Sequence, residues 1–353
     1  MNGMTLMGVG ATRVVGGSGP ATFKRSITID HTKCGSSDST NFPVLVSGTY
    51  TYLKTTGNGG DVQSSSGYDI FFTSDSAGST LLSWEQVNWG ATTGTVEYWV
   101  KVPTVSASTD TVIYIWYGNA ATSSFQGGAL GSAWNSNFKH VLHVKDGTTL
   151  NVTESTSNGN DGTNSGGTAA TGQIDGGAGF TAGSKITMVK NLASIIGSSA
   201  SHSISFWVKF TTHTATDYLV DLDSANSIGA FINIKSGDSV EWGYTSYRSY
   251  SSVVTTTGVW YYFAFQKTAA GDNGGLYKNG VLQSSYAGTL GNPNTAASTG
   301  SQWGAYHSSG VLCLDGVMDE MRISDVARGA DWFLTEYNNQ SSPSTFYTVS
   351  SPL

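Results

Sequence analysis

The sequence is short of charge. Asp, Glu, Lys and Arg make up 12% of its 353 residues, about half the usual share of roughly 25%. The 24 acidic against 17 basic residues leave a net charge of −7. No basic stripe appears, so nucleic-acid binding has no electrostatic footprint. Proline is scarce, with 6 residues against 45 Gly, so turns fall to glycine and long helices are not expected. Cysteine is scarcer still. Cys34 and Cys313 lie far apart and would pair only if two domains brought them together; they read as two free, buried thiols. No stretch approaches the ~18 apolar residues that span a bilayer, so membrane insertion is not expected. The opening "MNGMTLMGVGATRVVGGSGP" lacks a charged segment followed by an apolar run and does not read as a secretory signal. No repeat or heptad run encodes a fibre shaft.

What the sequence does have is aromatic residues, Thr and Val. Hydrophobic residues reach 38% and aromatics 12%, with 10 Trp and 17 Tyr. Such a chain buries real cores, and its bias is toward strands. Ser, Thr, Asn and Gly carry its solubility. This is the composition of an outward-facing adhesive protein. A chain without a secretory signal that still faces outward fits a virion protein released by lysis. A secreted protein is the alternative.

Along the chain, residues 1–21 form a Gly-rich arm, either a leader or an anchor that orders on a partner. Strand-length runs follow: "RSITID" (25–30), "FPVLVSG" (42–48), "YDIFFTSD" (68–75), "TVEYWVKV" (95–102) and "DTVIYIWYG" (110–118). In 95–102, Val96, Tyr98, Val100 and Val102 alternate with Glu97, Trp99 and Lys101, which predicts a half-buried strand. In 112–117 both faces are apolar, which predicts a central strand. Residues 22–125 therefore read as a β-sandwich. The polar stretch "GNAATSSFQGGALGSAWNS" (118–136) marks the boundary to a second domain, 126–353. That domain has its own strands and an Asn279-Gly280 hairpin signal. Ala330, Phe333, Leu334 and Tyr337 are spaced as one short amphipathic helix whose apolar stripe should cover a sandwich.

The order "STSNGNDGT…ISFWVKF…GVWYYFAFQK…GLYKNGVL…GVMDEMRIS" resembles the laminin-G-like, concanavalin-type jelly-roll family over residues 130–350. The first domain resembles an uncharacterised β-domain often fused in front of such jelly rolls in tailed-phage structural proteins and prokaryotic surface proteins. The resemblance implies an all-β chain of two sandwiches, the second a laminin-G-like jelly roll. It does not fix function, because the fold hosts lectins, accessory modules, spacers and adhesins.

Three chemistries follow for testing. Jelly-roll glucanases set carboxylates at alternate positions of one strand, close to E-x-D-x-x-E. Here "DGVMDEMRISD" offers Asp315, Asp319, Glu320 and Asp325 out of that spacing, with Arg322 among them. The chain therefore reads as non-enzymatic. His140 and His143 point to opposite faces of their strand and cannot share a metal ion. Related jelly rolls often hold a structural calcium between an early loop and the last strand. Glu154, Asn158, Asn160, Asp161 and Asp319 are the side chains that could contribute, with Glu154 where the family usually has Asp. The competing reading of "STSNGNDGT" is an Asn-Gly turn satisfied by its own hydrogen bonds. No cofactor is required otherwise.

Glycan binding would rest on exposed aromatics. "EWGYTSYRSYSS" (241–252) offers Trp242 and Tyr244 on one side of a strand, and Tyr247, Arg248 and Tyr250 on a loop. "SQWGAYHSSG" (301–310) adds Trp303, Tyr306 and His307. Alternation equally lets Trp242 and Tyr244 fill the core. The function expected is that of a non-enzymatic virion surface protein of a tailed phage, a head decoration or tail appendage. It would dock to capsid or tail proteins through the arm and first domain, and adhere to host glycans. A homo-oligomer, such as a trimer, would have closed symmetry. The alternative is an extracellular carbohydrate-binding adhesin or accessory module of a glycan-degrading system.

Overall fold

A computed structural model describes residues 21–145, 149–196, 201–213, 216–222, 231–236, 238–243, 247–251, 253–269, 273–286, 290, 300–306 and 312–353. The expected arm, apart from Ala21, lies outside the described residues, as do Tyr244 and His307.

The first sandwich pairs a four-stranded sheet with a three-stranded one. The four-stranded sheet runs Tyr347–Val349, Phe23–Ile29, Thr111–Tyr117, Phe71–Thr73. The three-stranded sheet runs Ser39–Thr49, Thr95–Val105, Ser83–Trp89. One strand of the first sandwich thus comes from the C-terminus: Ile27, Thr28 and Ile29 pair with Val349, Thr348 and Tyr347. The sequence division leaves those residues in the second domain; the structure returns them to the first.

The second sandwich is larger. One sheet runs Val281–Tyr286, Gly274–Lys278, Trp260–Lys267, His202–Phe210, Gly316–Ser324, Gly176–Phe180, Thr168–Thr171, with Phe138–Leu142 also paired to Gly316–Ser324. The facing sheet runs Tyr247–Tyr250, Ser239–Gly243, Phe231–Lys235, Asp217–Asp221, Gln302–Trp303, Lys185–Met188, Gly162–Ser165. Between them Phe206, Phe263, Phe265, Ile232, Trp242 and Trp303 form the second core.

The eight-stranded sheet is buried on both faces. Phe206 and Phe263 point into its own sandwich. Their neighbours Trp207, Tyr262 and Tyr277 join the first core instead. The bridge is the helix Ala330–Ser341, which lies between the sandwiches. Phe333 meets Tyr277 at 4.8 Å between ring centroids, Trp332 meets Phe42 at 4.7 Å, and Tyr337 meets Trp207 at 5.7 Å. The sequence stripe finds one contact face of the helix. The stripe's first member, Ala330, is exposed, and it misses the buried Trp332, Thr335, Glu336, Asn339 and Gln340, because mostly polar residues carry the other face.

One strand expectation is overturned, and a second holds in pairing but not in burial. Thr95–Val105 is buried on both faces: Glu97 is 6% and Trp99 1% exposed. Its outer face meets the second sandwich, which alternation within one strand does not reveal. Thr111–Tyr117 is a central strand, between Phe23–Ile29 and Phe71–Thr73, but it is buried on one face only, through Ile113, Ile115 and Tyr117. Val112 is exposed, and Trp116 lies half-buried, stacked on Phe71 at 6.0 Å with the Lys24 ammonium over its ring.

Asn339 covers the edge of the Ser39–Thr49 strand. Its Oδ1 accepts from Leu45 N (2.7 Å), and its Nδ2 donates to Leu45 O (3.0 Å). The amide side chain thus imitates a neighbouring strand at this edge, as the Tyr347 hydroxyl does at Ser47 N and O (2.9 and 2.7 Å). Asn339→Ala leaves one buried N–H and one buried C=O unpaired and should cost about 2–4 kcal/mol, read as a lower urea midpoint with unchanged slope. Asn339→Asp should also destabilise, because a carboxylate cannot donate to Leu45 O.

Candidate functional site

The carboxylate-rich strand is walled in. Gly316–Ser324 pairs with Gly176–Phe180 up to Met318, then with Phe138–Leu142 from Met321. At the break Glu320 has a left-handed φ of 50°, a strained value for a side-chain-bearing residue. Irregularity there re-aims side chains. Glu320 accepts from His143 Nδ1 (2.7 Å) and from Arg322 Nη2 (2.7 Å). Arg322 Nη1 continues to Glu336 of the helix (3.1 Å). Glu85 of the first sandwich stands 3.6 Å from His143 Nε2, an ion contact longer than a hydrogen bond. Trp99 and Trp134 cover the group, with the Arg322 guanidinium 4.2 Å and 5.0 Å from their centroids. Asp319, Glu320 and Arg322 are 0–2% exposed.

The electrostatics make this network a fastener. Burial opposes charge on His143, but the carboxylates of Glu320 and Glu85 outweigh it and push the imidazole up to about 10. It is a cation at neutral pH and cannot serve as a general base. Burial would raise Glu320, yet His143 and Arg322 hold it below the usual carboxylate range. Asp319 is driven well above its ordinary value by burial and by Glu320. Its Oδ2 accepts from Gln173 N and Ile174 N at 2.9 and 2.8 Å. Gly172 permits that approach, since a Cβ there would sit 2.7 Å from Asp319 Oδ2. His140 faces the other way, against Trp303 at 6.1 Å, and burial pulls it down to about 4.

The turn "STSNGNDGT" belongs to the second sandwich. Glu154 Oε1 accepts from Gly159 N (2.9 Å) and Asn160 N (3.3 Å), and Oε2 from Thr156 N (2.7 Å). Asp161 Oδ1 accepts from Glu154 N (2.9 Å), and Asn158 Nδ2 donates to Phe138 O (3.1 Å). Gly159 takes φ 63°. The proposed calcium ligands Glu154, Asn158, Asn160 and Asp161 thus share one turn. Asp319 holds the separate loop at 173–174. Among the described residues these carboxylates do not converge into a cluster of metal-ligand atoms; the cluster that does form is Asp30, His31 and Asp110.

The aromatic candidates divide by face. Trp242 (2% exposed) and Trp303 (0%) lie in the second core. Residues 247–250 form an edge strand rather than a loop. Alternation turns Tyr250 toward the core and leaves Tyr247 50% exposed. Arg248 pairs across from Trp242 and donates to Tyr247 O (2.9 Å). On the face turned away from the core, Tyr306 meets Tyr218 at 4.6 Å, Tyr218 meets Phe231 at 5.7 Å, and Phe231 meets Tyr247 at 5.9 Å. Asn233, paired with Tyr218 and Glu241, shares that face. Lys235 reaches Glu241 at 3.3 Å. Tyr218 and Phe231 are the residues that sequence reasoning missed. Their signal was the alternation of "DYLVDL" and "FINIK" combined with cross-strand register, which one strand alone does not supply.

Residues 180–332 match the concanavalin A-like lectin/glucanases superfamily. Residues 66–139 match a domain of unknown function (DUF2341). The chain is therefore all-β, with a laminin-G-like jelly roll behind a separate N-terminal β-domain. A search of curated proteins finds no match. Similar solved structures include domain 4 of AbnA, a GH43 extracellular arabinanase from Geobacillus stearothermophilus, in complex with arabinotriose. It is 21% identical with a TM-score of 0.45, covering 57% of this chain and 100% of that one. The binding domain of Paraclostridial Mosquitocidal Protein 1 is 16% identical with a TM-score of 0.46, covering 57% and 52%. The botulinum neurotoxin serotype D binding domain is 16% identical with a TM-score of 0.43, covering 58% and 52%. The chain thus spans about half the length of the two toxin structures.

In this two-domain chain the concanavalin A-like domain meets the first sandwich through groups that favour low pH. His143, raised from 6.5 to about 10, contributes stability that is full below pH 6.5 and lost as pH rises through 10. Glu97 is raised from 4.5 to about 8, by burial first and then by Asp175 and Glu320. It opposes folding progressively as pH climbs from 4.5 to 8. Urea stability should therefore fall between pH 6 and 10. Glu97→Gln should flatten the lower part of that slope. A slope unchanged in this variant would remove Glu97 from the account. Glu320→Gln, which weakens the pairing to both His143 and Arg322, should cost about 3–5 kcal/mol at pH 7.

Proposed function

We propose that this chain is a non-enzymatic surface protein that adheres to glycans through the outward face of its seven-stranded sheet. The observation that carries this reading is the row Tyr306–Tyr218–Phe231–Tyr247, in which Tyr247 is exposed, Tyr218 and Tyr306 are half-buried and Phe231 backs them from below, flanked by Glu241 and Lys235. Aromatic faces stack on sugar rings, while carboxylate and ammonium groups bond hydroxyls. A family named for lectins and glucanases leaves binding and hydrolysis both open. Burial of Asp319 and Glu320 favours binding. Asp217 does not reverse this. Burial and Asp315 lift its carboxyl to about 6, but it alternates with Tyr218 and faces away from the row.

The reading extends to a tailed-phage particle, docked to capsid or tail proteins through residues 1–21 and the first sandwich. What supports the extension is the sequence: a charge-poor, β-rich, aromatic composition, opening residues that do not read as a secretory signal, and the first domain's resemblance to a β-domain of tailed-phage structural proteins and prokaryotic surface proteins. The alternative is a secreted accessory module. Mass spectrometry of purified virions decides between them, and absence of the protein from the particles would sink the phage reading.

On a glycan array, Tyr218→Ala and Tyr247→Ala should each weaken binding by about 5- to 100-fold, taking about 1–3 kcal/mol as the loss of one stacking partner. Trp242→Phe, inside the core, should leave the ligand profile unchanged. Equal binding by wild type, Tyr218→Ala and Tyr247→Ala would remove the row from the site.

A further inference from the structure

A separate cleft opens between the two sandwiches at the start of the Ala330–Ser341 helix. Its volume is about 410 Å³, and it is lined by residues 37–41, 135–137 and 326–329, with Asp331 and Trp332. Half of the lining is Ser, Thr and Asn, around one cation, Arg328. That residue is 8% exposed. Its guanidinium lies 3.7 Å from the Trp332 centroid and 4.3 Å from that of Phe138. Nε donates to Ser324 Oγ (3.0 Å) and Nη2 to Asn135 Oδ1 (3.3 Å), both neutral. Among the described residues no carboxylate forms an ion pair with it, unlike Arg322 nearby. Burial accordingly pulls it down to about 10. The carboxylates of Glu336 and Asp325 favour its charge from a distance without pairing with it, which leaves a place for a closer counter-ion.

The helix end agrees. Gly329, the residue before the first turn, provides no side-chain cap, so the first backbone N–H groups lack a side-chain acceptor. An anion there meets both the guanidinium and the helix dipole. The cleft also holds two carboxylates. Asp38 accepts from Ala107 N (2.8 Å), and Asp331 from Ser36 N (2.8 Å) and Ser36 Oγ (3.0 Å). Their charge disfavours a dianion such as sulfate or phosphate. Their spare lone pairs, with the Asn and Ser side chains, suit hydroxyl donors.

We propose that this cleft binds a carboxylated sugar of the uronic-acid class, its carboxylate on Arg328 and its hydroxyls on the Asp, Asn and Ser groups of the lining. The volume lies within the usual range for small-ligand sites, about 300–1,000 Å³. The guanidinium is braced in the corner of two rings whose centroids lie 6.2 Å apart, and with Nε and Nη2 engaged its Nη1 is the nitrogen left to meet a ligand carboxylate. This site is distinct from the aromatic row and does not rest on it.

Calorimetric titration of the full chain with sodium D-glucuronate, D-glucose and sodium sulfate tests the proposal. Glucuronate should bind about tenfold or more tighter than either control. Arg328→Gln should weaken it by about 10- to 100-fold, the loss of one charged hydrogen-bond partner. Thr40→Trp, at an exposed position of the lining, should block the cleft while Tyr218 and Tyr247 stay intact. Glucose or sulfate binding as well as glucuronate would overturn the proposal, as would unchanged affinity in Thr40→Trp. The Thr40 variant decides the matter even if Arg328→Gln fails to fold.

Discussion

The architecture depends on one buried run of charge: Glu85, His143, Glu320, Arg322 and Glu336. It draws on the first sandwich, the early strand and the last strand of the second, and the C-terminal helix. Its carboxylates also accept from Ser155, Ser205, Trp134, Trp332 and Gln340, while His143 Nε2 and Arg322 Nε stay without a hydrogen bond among the described residues. Burying such a set is expensive, and apolar side chains of equal volume would hold the interface at least as well in free energy. A greasy interface, however, has many near-equivalent dockings. A cation fixed between carboxylates from two domains has few. Here the network sets the register of the two sandwiches, and the aromatic contacts of the helix supply the attraction.

That division of labour bears on chemistry. A concanavalin A-like sheet can carry catalytic carboxylates on a strand that opens into a cleft. In this chain the acidic strand Gly316–Ser324 has its carboxylates buried: Glu320 is committed to ion pairs with His143 and Arg322, and Asp319 to backbone N–H groups. The opposite sheet then remains for recognition, and its outward face is where aromatic and hydrogen-bonding groups alternate correctly. On the proposed reading, domain docking and ligand binding would use the two sheets of one jelly roll for separate tasks. The return of Tyr347–Val349 to the first sandwich closes the arrangement: separating the domains would also strip a strand from a sheet.

Much of this was legible from the sequence at the level of elements. Runs such as "ISFWVKF" and "GVWYYFAFQK" announced strands because both of their faces are apolar. The order of landmarks from "STSNGNDGT" to "GVMDEMRIS" announced the jelly roll. What stayed hidden was pairwise. Glu97 and Trp99 read as a solvent face because nothing in 95–102 says that a second sandwich will cover them. Val112, Tyr114 and Trp116 read as core because a hydropathy pattern does not distinguish an aromatic that packs from one that stacks at the surface. Tyr218 and Phe231 became a site only through the register Tyr218–Asn233 and Asp221–Phe231, and register is not encoded in either strand alone.

The low charge of the chain gains a different meaning in this light. With few ionisable residues available, an unexpected share lies inside: Glu85 holds Trp134 and Ser155, Glu154 organises a turn, Asp319 anchors a loop, and Arg322 and Arg328 lie against aromatic rings. Glu154 shows the principle on the smallest scale. Its carboxylate gathers three backbone N–H groups that a shorter Asp could not reach from the same Cα without drawing the loop inward. A charge that accepts several backbone hydrogen bonds organises a loop in the same manner as a bound ion would. In this fold, side-chain charge at the early turn and at the last strand is directed to holding backbone. The surface, left to Ser, Thr, Asn and aromatic rings, has the chemistry of a protein made to touch hydroxyl-rich partners.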